Sequence, residues 1–262
     1  MAVSARWLPL NPRLPHDSLA ITVLAVARQF APNAPIAQAL IVAMLEARPD
    51  LDGLVVAACQ RLVVLGVFAA HGPTHIQVTP FGQAIAFDEL LTADAHHYLE
   101  AIMVDRITTF AEQVLAGDDL EQVAQIAPHL AIIADAATAR DQRHASHVCQ
   151  RYALIAGRLG QPAIMLRYLK HAVELHHRHH GDDRVGVAIL STHLAAAYHL
   201  QNHLEQAQAS YEHALRAYAQ TYGPHHRDTL AVFTDYLAVL DQQGTPYVRD
   251  ERWHDLVIAL SL

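Results

Sequence analysis

The chain reads as a mainly α protein with one small β-hairpin, closing in an α-solenoid of stacked helical hairpins. Three observations predict this. The back half repeats at a spacing of 42 residues, Gly181 recurring as Gly223 (223 − 181 = 42). At the same spacing Gly160 recurs as Asn202 and Gly244, Leu169 as Tyr211 and Trp253, and Ala172 as Ala214 and Leu256. Elsewhere apolar residues recur at three- and four-residue steps, the helical period. One short segment departs from it, with alternating apolar residues on both sides of a Gly-Pro turn. A fixed period of this length marks units that bury an apolar face only against their neighbours. Such arrays present long surfaces to other macromolecules.

Taken in order, residues 1–16 carry Pro9, Pro12 and Pro15 and read as an extended lead-in. Asp17-Ser18 can cap a helix running to about Phe30. Pro35, at a first helical turn, opens a second helix that ends before Pro49. Asp50 or Asp52 starts a third, LVVAACQRLVVL, stopped by Gly66. Phe68 and Ala70, then Ile76 and Val78, flank His71-Gly72-Pro73-Thr74 and predict a two-stranded hairpin. A helix from Pro80 to Leu91 completes a first domain, residues 1–91. Residues 92–140 read as a helical connector: one helix over 92–116, a stop at Gly117-Asp118-Asp119, then two shorter helices divided near Pro128. Residues 141–262 hold the hairpins, about 141–180, 183–222 and 226–262. Their helices are expected at 141–159 and 162–178, 183–201 and 204–221, 226–242 and 246–260.

Composition narrows the functional classes. With 262 residues and 52% hydrophobic content the chain can bury a core without disulfide or metal. Cys59 and Cys149 sit inside apolar helical patterns and read as small buried hydrophobes suited to a reducing cytoplasm. No secretion signal is evident at the N-terminus, and no run is long and apolar enough to span a membrane. The formal charge is −8, and Lys170 is the only lysine. Nucleic-acid binding calls for a basic face, so this balance argues against it.

The stretch THLAAAYHLQNHLEQAQASYEHALRAYAQTYGPHHRDT resembles a tetratricopeptide repeat of the kinesin-light-chain-like type. The resemblance rests on Leu194, Ala195, Tyr198, Asn202, Leu204, Ala207, Tyr211, Ala214 and Leu215. Small residues at Ala195, Ala207 and Ala214 allow antiparallel helices to approach, while Tyr198 and Tyr211 fill the gaps between hairpins. The first unit matches through Gly160, Leu169 and Ala172, with Met165 where a small residue is expected. The third keeps Gly244, Trp253 and Leu256 but has Arg249 at the small position. The resemblance implies a right-handed superhelix whose concave wall comes from the first helix of each hairpin. Carried over by position, that wall holds His147, Gln150, Arg151, Leu154 and Arg158, then Thr192, His193, Ala196 and His199, then Asp235, Ala238 and Asp241. The ligand implied is a protein or peptide, and no cofactor is called for.

Three helices followed by a β-hairpin is a winged-helix pattern. The order winged helix, connector, long tetratricopeptide hairpins resembles the C-terminal part of bacterial NB-ARC-type signalling ATPases, through APNAPIAQALIVAML, RLVVLGVF and HIQVTPF. Thr79-Pro80 stands where those proteins place a nucleotide-sensing histidine, and the chain has no GxxxxGK[ST] loop. ATP hydrolysis is therefore not expected. The resemblance implies a sensor or adaptor in a signalling assembly. Two alternatives are a transcription regulator using the winged helix, and an accessory subunit of a separately encoded ATPase.

Other constellations carry less. In the third helix Arg61 is the only basic residue, and Asp50 and Asp52 at its start would repel phosphate. His176 and His180 lie four apart and could chelate a divalent ion, but no carboxylate or cysteine at ligand spacing completes a site. A solvated loop is the simpler reading, so no metal is assigned. Ser146 beside His144 and His147, and Ser191 near His193, are neighbours along a helix rather than nucleophile and base. No catalytic residue is expected. The apolar run Leu256–Leu260 lacks the polar cap of a terminal repeat, so this end is expected to be covered, by self-association through the C-terminal helix or by further chain.

Overall fold

A computed structural model describes residues 9–11, 13–45, 51–85, 93–181 and 183–245. It forms two compact units, residues 1–140 and 141–262. In the first, α1 (Pro15–Ala27), β1 (Ile36–Ala37), α2 (Gln38–Leu45) and α3 (Leu51–Val64) precede β2 (Phe68–His71) and β3 (His75–Val78). Then come α4 (Pro80–Ala84), α5 (Ala93–Ala116) and α6 (Leu120–Ala139). Leu24, Phe30, Ile36, Ile41, Leu62, Phe68 and Ile76 are its buried core.

Several expectations are corrected here. Helix α1 starts at Pro15, whose ring fixes φ for a first turn, and not at an Asp17-Ser18 cap. Asp17 is instead buried, accepting from the Asn11 N–H and facing the Arg61 guanidinium at 2.7 Å. Pro35 does not open a helix. Ile36 and Ala37 pair with Ile76 and His75, so the sheet has three antiparallel strands in the order β1-β3-β2. The turn at 71–74 joins β2 to β3 as expected.

Helix α4 is one turn long and ends at Ala84, with Ile85 extended; the rest of the helix expected to reach Leu91, residues 86–91, lies outside the described residues. Its start is fixed by Thr79, whose Oγ1 accepts from the Gly82 N–H and donates to the Gly66 carbonyl. Helix α6 runs unbroken through Pro128. A single face of Val123, Ile126, Leu130, Ile133, Ala134 and Ala137 is buried along its length. That burial outweighs the one hydrogen bond a proline removes.

The second unit comprises α7 (Ala145–Arg158), α8 (Pro162–His180), α9 (Arg184–Leu200), α10 (Leu204–Tyr222) and α11 (Arg227–Gln243). Each helix packs on the next, giving antiparallel hairpins in series. The 42-residue recurrence has a backbone cause. Gly160, Asn202 and Gly244 all take left-handed φ (69°, 59° and 69°) at the turn after a first helix. Glycine adopts that region freely and asparagine tolerates it.

Packing follows the small-residue logic. Ala195, Ala207 and Ala214 are fully buried, and Tyr211 joins Val232, Phe233, Tyr236 and Leu240 in one cluster. In the first hairpin the oversized Met165 is accommodated by Gly157, where an added Cβ would lie 2.8 Å from the Met165 sulfur. Glycine on α7 thus supplies the room that α8 uses. The helix expected over 246–260, with Arg249, Trp253 and the Leu256–Leu260 run, lies outside the described residues.

Candidate binding wall and histidine cluster

The first helices α7, α9 and α11 touch through polar side chains, although in sequence a whole helix separates each from the next. Gln150 Nε2 donates to His193 Nδ1 at 3.1 Å, and Arg151 raises the local positive potential at the same ring. Burial, with Arg151 adding, pushes the His193 pKa down to about 4. One step along, His199 Nε2 bonds Gln242 Oε1 at 2.6 Å, and Gln242 Nε2 donates to Asn202 at 3.2 Å. Asp235 lies within electrostatic range of His199, while burial pushes its own carboxyl upward.

The sequence-assigned wall residues divide accordingly. Arg151, Arg158, Thr192, His193 and His199 are partly exposed, and His147, Asp235 and Asp241 are exposed. Gln150 is 5% exposed, with its amide engaged by His193. Thr192 Oγ1 donates within its helix to the Ala188 carbonyl. Arg151, Gln150 and His193 form one group, and His199, Asp235 and Gln242 another.

Residues 143–220 match the tetratricopeptide repeat family. The matched stretch takes in the whole of α7, α8 and α9 and nearly all of α10. No curated protein matches the chain. Tetratricopeptide repeats generally mediate protein–protein interaction, and among the described residues no helix is long and apolar enough to cross a membrane.

Sequence reading missed two further features of this unit. The C-terminal turn of α8 folds back on residues 141–144. Arg178 and His179 both hold the Asp141 carboxylate (2.8 and 2.9 Å), keeping it below the usual range, and His180 Nε2 donates to the Arg143 carbonyl at 3.1 Å. This docking places His147 of α7 against His176 and His180 of α8, a third imidazole that lies 29 residues upstream of His176 and so escapes any local spacing pattern (176 − 147 = 29). The second feature is a cleft of about 320 Å³ lined by His177, Arg184, His213, Arg216 and Gln220.

The serines do not pair with the histidines beside them in sequence. Ser191 bonds His213 of α10 at 3.0 Å, and Ser146 is buried without a hydrogen-bond partner. Among the described residues no carboxylate orients His213, so that pair lacks the third member of a hydrolytic triad.

In the first unit His129 is 1% exposed and fully satisfied. Its Nδ1 accepts from the Ala31 N–H at 3.2 Å and its Nε2 donates to the Pro35 carbonyl at 3.0 Å. The ring also meets Phe30 edge-on at 5.2 Å. It fastens the loop after α1 to α6.

Proposed function

We propose that the chain is a non-catalytic interaction module that binds a peptide or protein along the wall formed by α7, α9 and α11. The observation that carries this is the linkage of alternate helices, Gln150 to His193 and His199 to Gln242, within a stretch that matches tetratricopeptide repeats. Arg151 and Arg158 on α7 and Asp235 and Asp241 on α11 make the wall electrically two-sided. A ligand with an acidic segment followed by a basic one complements it.

At the finer level, we read the chain as a sensor or adaptor in a bacterial signalling assembly, working in the cytoplasm. Support comes from the three helices and small sheet that precede the repeats, and from the APNAPI, RLVVLGVF and HIQVTPF segments. The transcription-regulator alternative is weakened by one contact. Arg61, the sole cation of α3, is drawn to Asp17 and to the Pro9 carbonyl, which leaves that helix without a phosphate ligand.

Affinity capture with the intact chain and with Arg151→Glu tests the reading. A partner retained by the intact chain and by Glu205→Ala, on the second helix of a hairpin, but lost with Arg151→Glu supports it. Retention by the intact chain and both variants alike, or steeply salt-dependent binding of random duplex DNA, overturns it.

A further inference from the structure

We propose that His147, His176 and His180 form a binding site for one divalent transition-metal ion, of which zinc is the best fit. One ligand atom from each ring lies within 4.8 Å of the others. His176 and His180 stack at 4.8 Å between ring centroids, one helical turn apart, and His147 approaches His180 at 5.6 Å. Tetrahedral Zn–N bonds of about 2.0–2.1 Å set ligand nitrogens roughly 3.4 Å apart. Closing to that distance requires a movement of about 1–1.5 Å, within the reach of the side-chain torsions of the exposed His147 and the half-buried His180.

The second observation is independent of spacing. His176 is 2% exposed, and neither of its ring nitrogens has a hydrogen-bond partner. Buried polar atoms are otherwise satisfied almost everywhere, so an orphaned imidazole facing two others marks a place for a ligand. The Asp183 carboxylate stands 3.4 Å from His176 Nε2 without hydrogen-bond geometry, a counter-charge beside the ring.

Tautomers are set correctly. The Arg143 carbonyl can only accept, so His180 carries its proton on Nε2 and keeps a lone pair on Nδ1. A backbone carbonyl on the far nitrogen is the usual support for a metal-ligating histidine. Three imidazoles and no thiolate favour zinc over the softer metals, with the fourth position open.

The ion would tie α7 to the end of α8. It would also brace the junction with α9, because His176 packs directly on Gly186, where an added Cβ would meet the ring.

Isothermal titration of the untagged chain with zinc chloride is the test, run beside His147→Ala, His180→Ala and His225→Ala. One ion per chain is expected. Loss of either ligand should weaken binding by at least about 100-fold, the upper range for losing even a supporting contact at a metal site. His225→Ala should leave it unchanged. His147 is exposed, so its variant keeps the fold, checked by an unaltered metal-free unfolding temperature. Cobalt(II) should give the ligand-field absorption of a tetrahedral site in the intact chain and in His225→Ala, and not in His147→Ala or His180→Ala. Absence of binding, or several weak sites untouched by His147→Ala, would overturn the proposal.

Discussion

Gln150 Nε2 and His193 Nδ1 meet at 3.1 Å, joining α7 to α9 over the helix that separates them in sequence. The bond requires an unprotonated Nδ1, which makes it sensitive to pH. The His193 pKa is depressed from 6.5 to about 4. As pH falls below 6.5 the unfolded chain takes up a proton that the folded chain refuses, so stability declines through this window and levels off near pH 4. Chemical denaturation at pH 7 and pH 4.5 should show a loss on the order of 2 kcal/mol, reduced from the full linkage value because the ring is partly exposed. In His193→Leu this component of the pH dependence should disappear.

Gly186→Ala sets helix propensity against packing. In a free helix the change gains about 1 kcal/mol. Here the new methyl would lie 2.3 Å from His176 Cε1 and 2.5 Å from Asp183 Oδ2. His176 is buried and cannot swing away, so a net destabilisation of about 1–3 kcal/mol is expected from denaturant midpoints. An increase in stability would show that the His176 ring is not seated on α9.

Gly82→Ala should be more damaging to the first unit. The added Cβ would meet the Val67 carbonyl oxygen at 2.5 Å, and backbone cannot step aside as a flexible side chain can. The same turn carries the Thr79 cap, so amide exchange should quicken at Val67, Thr79 and Gly82 while α10 and α11 keep their protection.

Tyr236 tests the inter-repeat cluster. Its hydroxyl donates to Glu212 at 2.9 Å and its ring is fully buried. Tyr236→Phe should lose about 1.5–3 kcal/mol, the range for a hydrogen bond to a charged group, whereas Tyr236→Ala should lose about 3–5 kcal/mol through the cavity it leaves.

The hairpins were legible because their signal is periodic. Gly160, Asn202 and Gly244 recur where the backbone needs a left-handed turn, and Ala172 recurs as Ala214 where helices touch. Pro128 misled because local chemistry says stop, while the buried face on both sides of it says continue. The short β1 strand was hidden for a similar reason, since two residues carry no alternation and only the partner Ile76 makes them a strand. The wall residues came from position within the repeat, which cannot reveal that Gln150 turns inward to meet His193. His147 joined His176 and His180 only once the end of α8 docked on residues 141–144, a contact fixed by Arg178 and Asp141 rather than by spacing.

The central claim, that a guest lies along the first helices, is tested most directly by site-specific photo-crosslinking in the source organism. A photoreactive residue is placed at Ala196 on α9 and, separately, at Ala209 on α10. A discrete protein adduct is expected from position 196 and none from position 209. Adducts from 209 alone, or equal yields from both, would contradict it.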